Sequence, residues 1–188
     1  MKKNFNEFIE RLDHISNDQT AILFKNSKLN QNFIIMSVKG SHNKIMILNP
    51  LDNMNDIATI LYTARGHKTF ISSFEVNENY QQCGLGRLLF DIALTHSDIL
   101  GITTVYGDAD PINNIKGVSG KPGVSFDDER TAIKNIYQKL GCRIENDDRF
   151  YQDWKEGEKI KQASPLVLET AYLIAEKDGF IKDQNQPQ

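Results

Sequence analysis

Two cysteines, Cys83 and Cys142, are all that the 188 residues contain, and that scarcity excludes a disulfide-stapled scaffold. Neither has a second cysteine or a histidine at metal-ligand spacing, and His14, His42, His67 and His96 are scattered, so no metal is expected and all four histidines are expected at the surface. An excess of one charge is missing too. With 22 Lys and Arg against 25 Asp and Glu, the chain lacks the basic surplus with which a nucleic-acid-binding domain meets phosphates. No apolar run approaches the ~20 residues that span a bilayer. Met1-Lys2-Lys3 leads into Asn4-Phe5-Asn6-Glu7 rather than into the apolar core of a signal peptide. These absences predict a cytoplasmic protein that meets neither nucleic acid nor a membrane.

What is present is an ordinary globular composition, 39% hydrophobic and 25% charged, long enough for one well-buried domain over 1–188. Phe5, Phe8, Ile9, Leu12 and Ile15 recur at helical spacing within Asn4–Ile15. Ala21–Phe24, Phe33–Val38 and Lys44–Leu48 read as strands, the last two joined across Gly40-Ser41-His42-Asn43, with a polar loop at 52–56. Ile57–Thr63 and Lys68–Val76 read as a hairpin around Ala64-Arg65-Gly66-His67.

Beyond it, Leu85, Leu88, Leu89, Ile92 and Ala93 form the stripe of a helix that Gly101 stops, and Ile102–Tyr106 reads as a strand. The stretch 107–127 carries Pro111, Gly117, Gly120, Pro122 and Gly123 without periodicity, and loops of that length are usually functional or mobile. Asp127 or Asp128 is placed to cap a further helix with Ala132, Ile133, Ile136, Tyr137 and Leu140 on one face, ended by Gly141. Cys142–Ile144 and Phe150–Trp154 suggest a closing strand pair. Ser164-Pro165 opens a last helix, with a frayed tail at Gln184–Gln188.

The segment from Phe70 to Leu89 stands out. A strand-like run to Val76 breaks at Asn77–Tyr80, passes through Gln81-Gln82-Cys83-Gly84-Leu85-Gly86-Arg87 and enters a helix at once. Glycine lets backbone approach a ligand without a Cβ in the way, and a helix N-terminus offers unpaired N–H groups to an anion. A triphosphate loop needs Lys-Ser or Lys-Thr after its last glycine, where Arg87-Leu88 stands. A dinucleotide site needs a third glycine within a βαβ unit, and the strand here belongs to a hairpin.

Gln81, Gly84 and Gly86 match the fixed positions of the acetyl-CoA signature of the GNAT superfamily of N-acetyltransferases, and the segment resembles that family. A second block, Ile136-Tyr137-Gln138-Lys139-Leu140-Gly141-Cys142, is similar to the family's Leu-Tyr-Glu-Lys-Leu-Gly-Phe stretch. The resemblance covers 57–154, an acetyl-CoA-binding core flanked by an atypical N-terminal part, 1–56, and a C-terminal helical extension and tail, 160–188. It implies an α/β (α+β) fold: a mixed, mostly antiparallel sheet with flanking helices and a splayed central strand pair, whose open edge near Val76 pairs with pantetheine.

By the same resemblance, acetyl-CoA is held by Val76, Asn77, Glu78, Gln81, Gln82, Cys83, Gly84, Leu85, Gly86, Arg87, Leu88, Leu89 and Tyr137, with Tyr137 as general acid toward the departing thiolate. Position alone makes Tyr137 a core tyrosine. The attacking amine must lose a proton; Glu75, Asp108, Asp110 and His67 are the available bases, with Asp108 or Asp110 preferred because they follow a strand where the family places an acid.

Two departures stand beside these matches. The family's two helices between its first strands are missing, so the loop 107–127 and the Pro165–Ile181 helix are candidates for the acceptor wall. Arg130 stands where the family has a cofactor-binding asparagine, so Asn113 replaces it or Arg130 reaches a phosphate. The expectation is an acetyl-CoA-dependent N-acetyltransferase acting on a primary amine of a small molecule or polypeptide, with a non-catalytic acyl-CoA-binding module as the alternative. A homodimer through the C-terminal segment is compatible with either.

Overall fold

Alternation of apolar side chains along the strands, rather than length or charge, sets the architecture. The structure is a computed structural model, described here for residues 19–26, 31–38, 42–49, 55–110, 115–158 and 180–182. In chain order it runs β1 (Gln19–Asn26), β2 (Gln31–Val38), β3 (Asn43–Asn49), β4 (Asn55–Arg65), β5 (Lys68–Val76), a 3-10 turn (Glu78–Tyr80), α1 (Leu85–Ile99), β6 (Thr104–Asp108), α2 (Phe126–Lys139), β7 (Arg143–Ile144), β8 (Arg149–Asp153) and β9 (Phe180–Lys182). The strands form one sheet in the order β7-β8-β6-β5-β4-β3-β2-β1-β9. Every neighbouring pair is antiparallel except β5 with β6. This is the mixed, mostly antiparallel α+β fold that the sequence predicts.

The parallel pair is the one joined through a helix, as a parallel connection requires. It is also short. Lys68, Thr69 and Phe70 pair with Thr104, Val105 and Tyr106, after which β5 runs on to Val76 and β6 to Asp108 without pairing with each other. The two strands therefore part at Ile71, leaving the β6-facing edge of the second half of β5 open.

α1 packs across the middle of the sheet. Its Leu85, Leu88, Leu89, Phe90, Ile92 and Ala93 are fully buried against Ile45, Ile47, Ile60, Tyr62 and Ile71. Ile34, Met46 and Leu48, on alternate positions of β2 and β3, form a separate buried cluster. Burial on both faces explains why these strands read as nearly continuous apolar runs. Gly101, in the left-handed conformation at φ 70°, follows the end of α1 as the sequence suggests.

Several expectations need correction. Ser125, not Asp127 or Asp128, caps α2: its hydroxyl accepts from the Asp128 N–H at 3.2 Å while the Asp128 carboxylate accepts from the Ser125 N–H at 2.8 Å. That reciprocal box starts the helix earlier than a lone aspartate would, and the backbone bond from Ser125 holds the Asp128 carboxyl below its ordinary pKa. His96 is not at the surface: it is buried and its Nδ1 lies 2.6 Å from the Tyr62 hydroxyl. The strand expected at Ile102–Tyr106 is Thr104–Asp108, since Ile102 N–H still bonds back to Ser97 in the helix turn. Phe180–Lys182 is a strand paired with β1, where a helix through Ile181 is expected. The helices expected at 4–15 and from Pro165 onward, most of the 52–56 loop, and the tail lie outside the described residues. Among the described residues no helix is long and apolar enough to cross a membrane.

Gly107 sits where β5 and β6 part. A Cβ there would lie 2.6 Å from the Phe150 ring and 2.8 Å from the Ile71 carbonyl oxygen. One of those neighbours is backbone and cannot rotate away. Gly107→Ala is therefore expected to destabilise the fold by about 1–3 kcal/mol, the usual range for overpacking, read as a shift in the urea midpoint without a change in slope.

Candidate functional site

The parting of β5 and β6 opens a cavity of about 510 Å³. One wall is β5 from Ile71 to Val76; the floor continues into Gln81, Gln82, Gly84, Gly86 and Arg87; Asp108 ends β6 and Asp110 follows it, and α2 and its end supply the far wall with Asn135, Ile136, Tyr137, Lys139 and Leu140. Thus the two blocks that the sequence singles out, Gln81–Arg87 and Ile136–Leu140, lie on one cavity although some fifty residues separate them.

Backbone conformation shapes the turn. Gln82 and Gly84 both have positive φ, 63° and 87°, a pattern that turns successive N–H groups toward one concave side. Gly84 is the N-cap of α1 and provides no side-chain cap. The first intrahelical bond runs from Leu88 N–H to Gly84 C=O at 3.0 Å, so the N–H groups of Leu85, Gly86 and Arg87 have no acceptor within the helix. Gly86 permits the close approach of that first turn to β5: a Cβ there would stand 3.4 Å from both Phe74 and Val76.

Gln81 ties the turn to its surroundings. Its Nε2 donates to the Val76 carbonyl at 2.9 Å and its Oε1 accepts from the Lys116 N–H at 2.8 Å. Arg87 donates from Nε to Asp91 at 3.0 Å and from a terminal nitrogen to the Lys139 carbonyl at 3.2 Å, joining the turn to the end of α2.

The remaining cofactor candidates divide by side chain. Leu85, Leu88 and Leu89 are core residues at 0% exposure, holding α1 from beneath. Asn77 accepts from the Asn79 N–H at 3.0 Å and, with Glu78, lines a neighbouring, more polar depression. The Cys83 thiol donates to the Gln81 carbonyl at 3.5 Å and does not line the cavity.

Tyr137 is 5% exposed yet lines the cavity. Its ring stacks on Phe150 at 3.8 Å between centroids and 12° between planes, with Phe74 and Phe90 also alongside. Burial, then the nearby Cys142 and Asp108, push its phenol pKa well above the ordinary tyrosine range. Tyr137 is thus a core residue that also faces the cavity.

Of the candidate bases, Glu75, Asp108 and Asp110 line the cavity and His67 does not; it stands in the turn between β4 and β5. Asp108 is half-exposed and ion-paired with Arg149 at 3.2 Å. Arg130 does not line the cavity; it pairs with Asp148 at 3.3 Å and its guanidinium lies over the Phe126 ring. Asn113 lies outside the described residues. Lys139, from the second sequence block, lines the cavity, and so does Asn135, which the sequence reading passes over although it stands three residues from Ala132 on α2. Among the described residues, no group of three His, Cys, Asp or Glu is placed to hold a metal ion.

No protein-family model and no curated protein matches the chain. Among solved structures it is similar to a cAMP-binding acyltransferase from Mycobacterium smegmatis, with a TM-score of 0.54 and 13% identity, over 85% of this chain and 56% of that one. The chain thus spans little more than half the length of that protein. Other similar structures are a GNAT-family acetyltransferase from Staphylococcus aureus Mu50, at TM-score 0.45, 16% identity, 61% of this chain and 69% of that one, and a GNAT-family N-acetyltransferase from Escherichia coli in complex with CoA, at TM-score 0.42, 12% identity, 65% and 64%. The likeness is one of fold.

The buried phenol gives a pH test. A folded-state pKa above the unfolded value near ~10 means that stability is full below pH ~10 and is lost as pH rises beyond it, because only the unfolded chain ionises readily. Tyr137→Phe is expected to flatten part of that alkaline decline in a series of urea midpoints.

Proposed function

We propose that the protein is an N-acetyltransferase that takes its acetyl group from acetyl-CoA and transfers it to a primary amine. The observation that carries this reading is the single cavity that joins an open strand edge, an uncapped helix N-terminus with a glycine turn, and a buried tyrosine. Those three parts match the three parts of the donor: an extended pantetheine, a pyrophosphate and a thioester.

The fit can be stated part by part. The N–H groups of Leu85, Gly86 and Arg87, with the positive end of the α1 dipole, suit the pyrophosphate. The unpaired edge of β5 toward Val76 suits the amides of pantetheine, as an added strand. A two-for-one bulge in β5, where Leu61 pairs with Ser73 and Tyr62 with Ile71, leaves Ser72 out of the cross-strand register at the mouth of the splay. When bound, acetyl-CoA supplies an acetyl thioester open to attack by a neutral amine.

The chain's own contribution is proton handling. Tyr137 keeps its phenol protonated through the physiological range, so it can donate to the departing thiolate sulfur. Asp110 or Asp108, across the parted strands, takes a proton from the acceptor's ammonium so that the neutral amine attacks the thioester carbonyl; Asp110 is favoured because Asp108 is held by Arg149.

Saturating acetyl-CoA is expected to raise the unfolding temperature through preferential binding to the folded state, and Gly84→Val, forcing a β-branched residue into φ 87°, to abolish that shift. Tyr137→Phe is expected to lower kcat roughly 10²-fold or more with little change in the KM for acetyl-CoA, the usual reach of a lost general acid. Coenzyme A binding with no acetylation of a broad panel of amines and peptides would instead identify a non-catalytic acyl-CoA-binding module.

A further inference from the structure

The long glycine-bearing stretch after β6 is a candidate for the acceptor side of the site, yet its described part lies against the phosphate turn. Ile115 is buried, and both Ile115 and Lys116 line the cavity beside Gln81, Gln82, Gly84 and Gly86. The segment is ordered by its own bonds: Val118 and Ser119 N–H donate to the Ile115 carbonyl at 2.9 and 3.0 Å, and the Ser119 hydroxyl accepts from the Ile115 N–H at 2.9 Å. It is tied to the turn by the Gln81 Oε1, which accepts from Lys116 N–H. Gln81 thus fixes the backbone of Lys116 next to the glycine turn.

The cavity's cations are Arg87, Lys116 and Lys139, and its anions are Glu75, Asp108 and Asp110. Arg87 is committed to Asp91 and to the Lys139 carbonyl. Lys116 is exposed and forms no ion pair among the described residues. A mobile ammonium beside a helix N-terminus adds point charge where the backbone supplies only fixed partial charges.

Resting on the acetyl-CoA reading, we propose that Ile115–Ser119 is a donor-side strap held in place by Gln81, and that Lys116 pairs with a phosphate of the donor's nucleotide end. The strap thereby selects a donor carried on coenzyme A.

Calorimetric titration of the full chain with coenzyme A tests this. Lys116→Ala is expected to weaken binding about fivefold to tenfold, the range of one charge-assisted hydrogen bond at a wet site. Lys116→Arg is expected to restore most of it, and the gap between wild type and Lys116→Ala to shrink as salt screens the pair. Repeating the series with 3′-dephospho-coenzyme A locates the contact: a gap that vanishes assigns Lys116 to the 3′-phosphate, and one that persists assigns it to the pyrophosphate. A Lys116→Ala chain that binds coenzyme A like wild type, a loss indifferent to salt, or a rise only in the KM of the amine overturns the assignment of Lys116. A Gln81→Ala chain with unchanged affinity overturns the clip. Wild-type protein that binds no coenzyme A overturns the acetyl-CoA reading and the strap with it.

Discussion

β5 and β6 share three residue pairs and then separate, and the cavity exists because they do. A parallel pair continued to Val76 would close the strand edge with backbone hydrogen bonds and leave no room between the sheet and α2. Gly107 stands at the point of separation with no space for a Cβ, between the Ile71 carbonyl and the Phe150 ring. Phe150 in turn stacks on Tyr137. A backbone approach on one strand and an aromatic ring on another are therefore linked to the position of the buried phenol. Interiors packed at crystal density transmit such constraints because they have no slack.

The glycine turn depends on the same geometry from the other side. α1 begins immediately after the open strand edge, and Gly86 lets its first turn lie against Phe74 and Val76. Gln81 bonds to the last carbonyl of β5 and to the backbone of Lys116. The signature glutamine serves here as a brace joining strand end, glycine turn and loop. That role is compatible with anion binding because it consumes side-chain rather than main-chain donors.

Polar groups buried under α1 explain one misreading. Tyr62 and His96 meet at 2.6 Å, Ser97 donates to Thr69 at 3.0 Å, and Trp154 donates to Asp98 at 3.1 Å. Each pairs α1 with a strand or with the segment after β8. His96 reads as a surface residue because the four histidines are scattered with no pair at metal-ligand spacing, and spacing along the chain is all that such a reading weighs. It cannot see that the polar face of the last turn of α1 is itself buried and satisfied.

Local order determined much of this protein. Strand alternation, the glycines at 84, 86, 101 and 141, and the stripe on α2 are set by backbone sterics and by which side chains avoid water, and these act within a few residues. The order of the strands, the glycine turn and the tyrosine-bearing block could accordingly be read directly. What tertiary structure decided was company: that Tyr137 is at once buried and cavity-facing, that Arg130 pairs with Asp148 away from the cavity, that Asn135 lines it, and that Lys116 is drawn to Gln81 across 35 positions of sequence. Such pairings depend on where the chain returns after a loop without periodicity, and only the packing of the parted strands against both helices sets that.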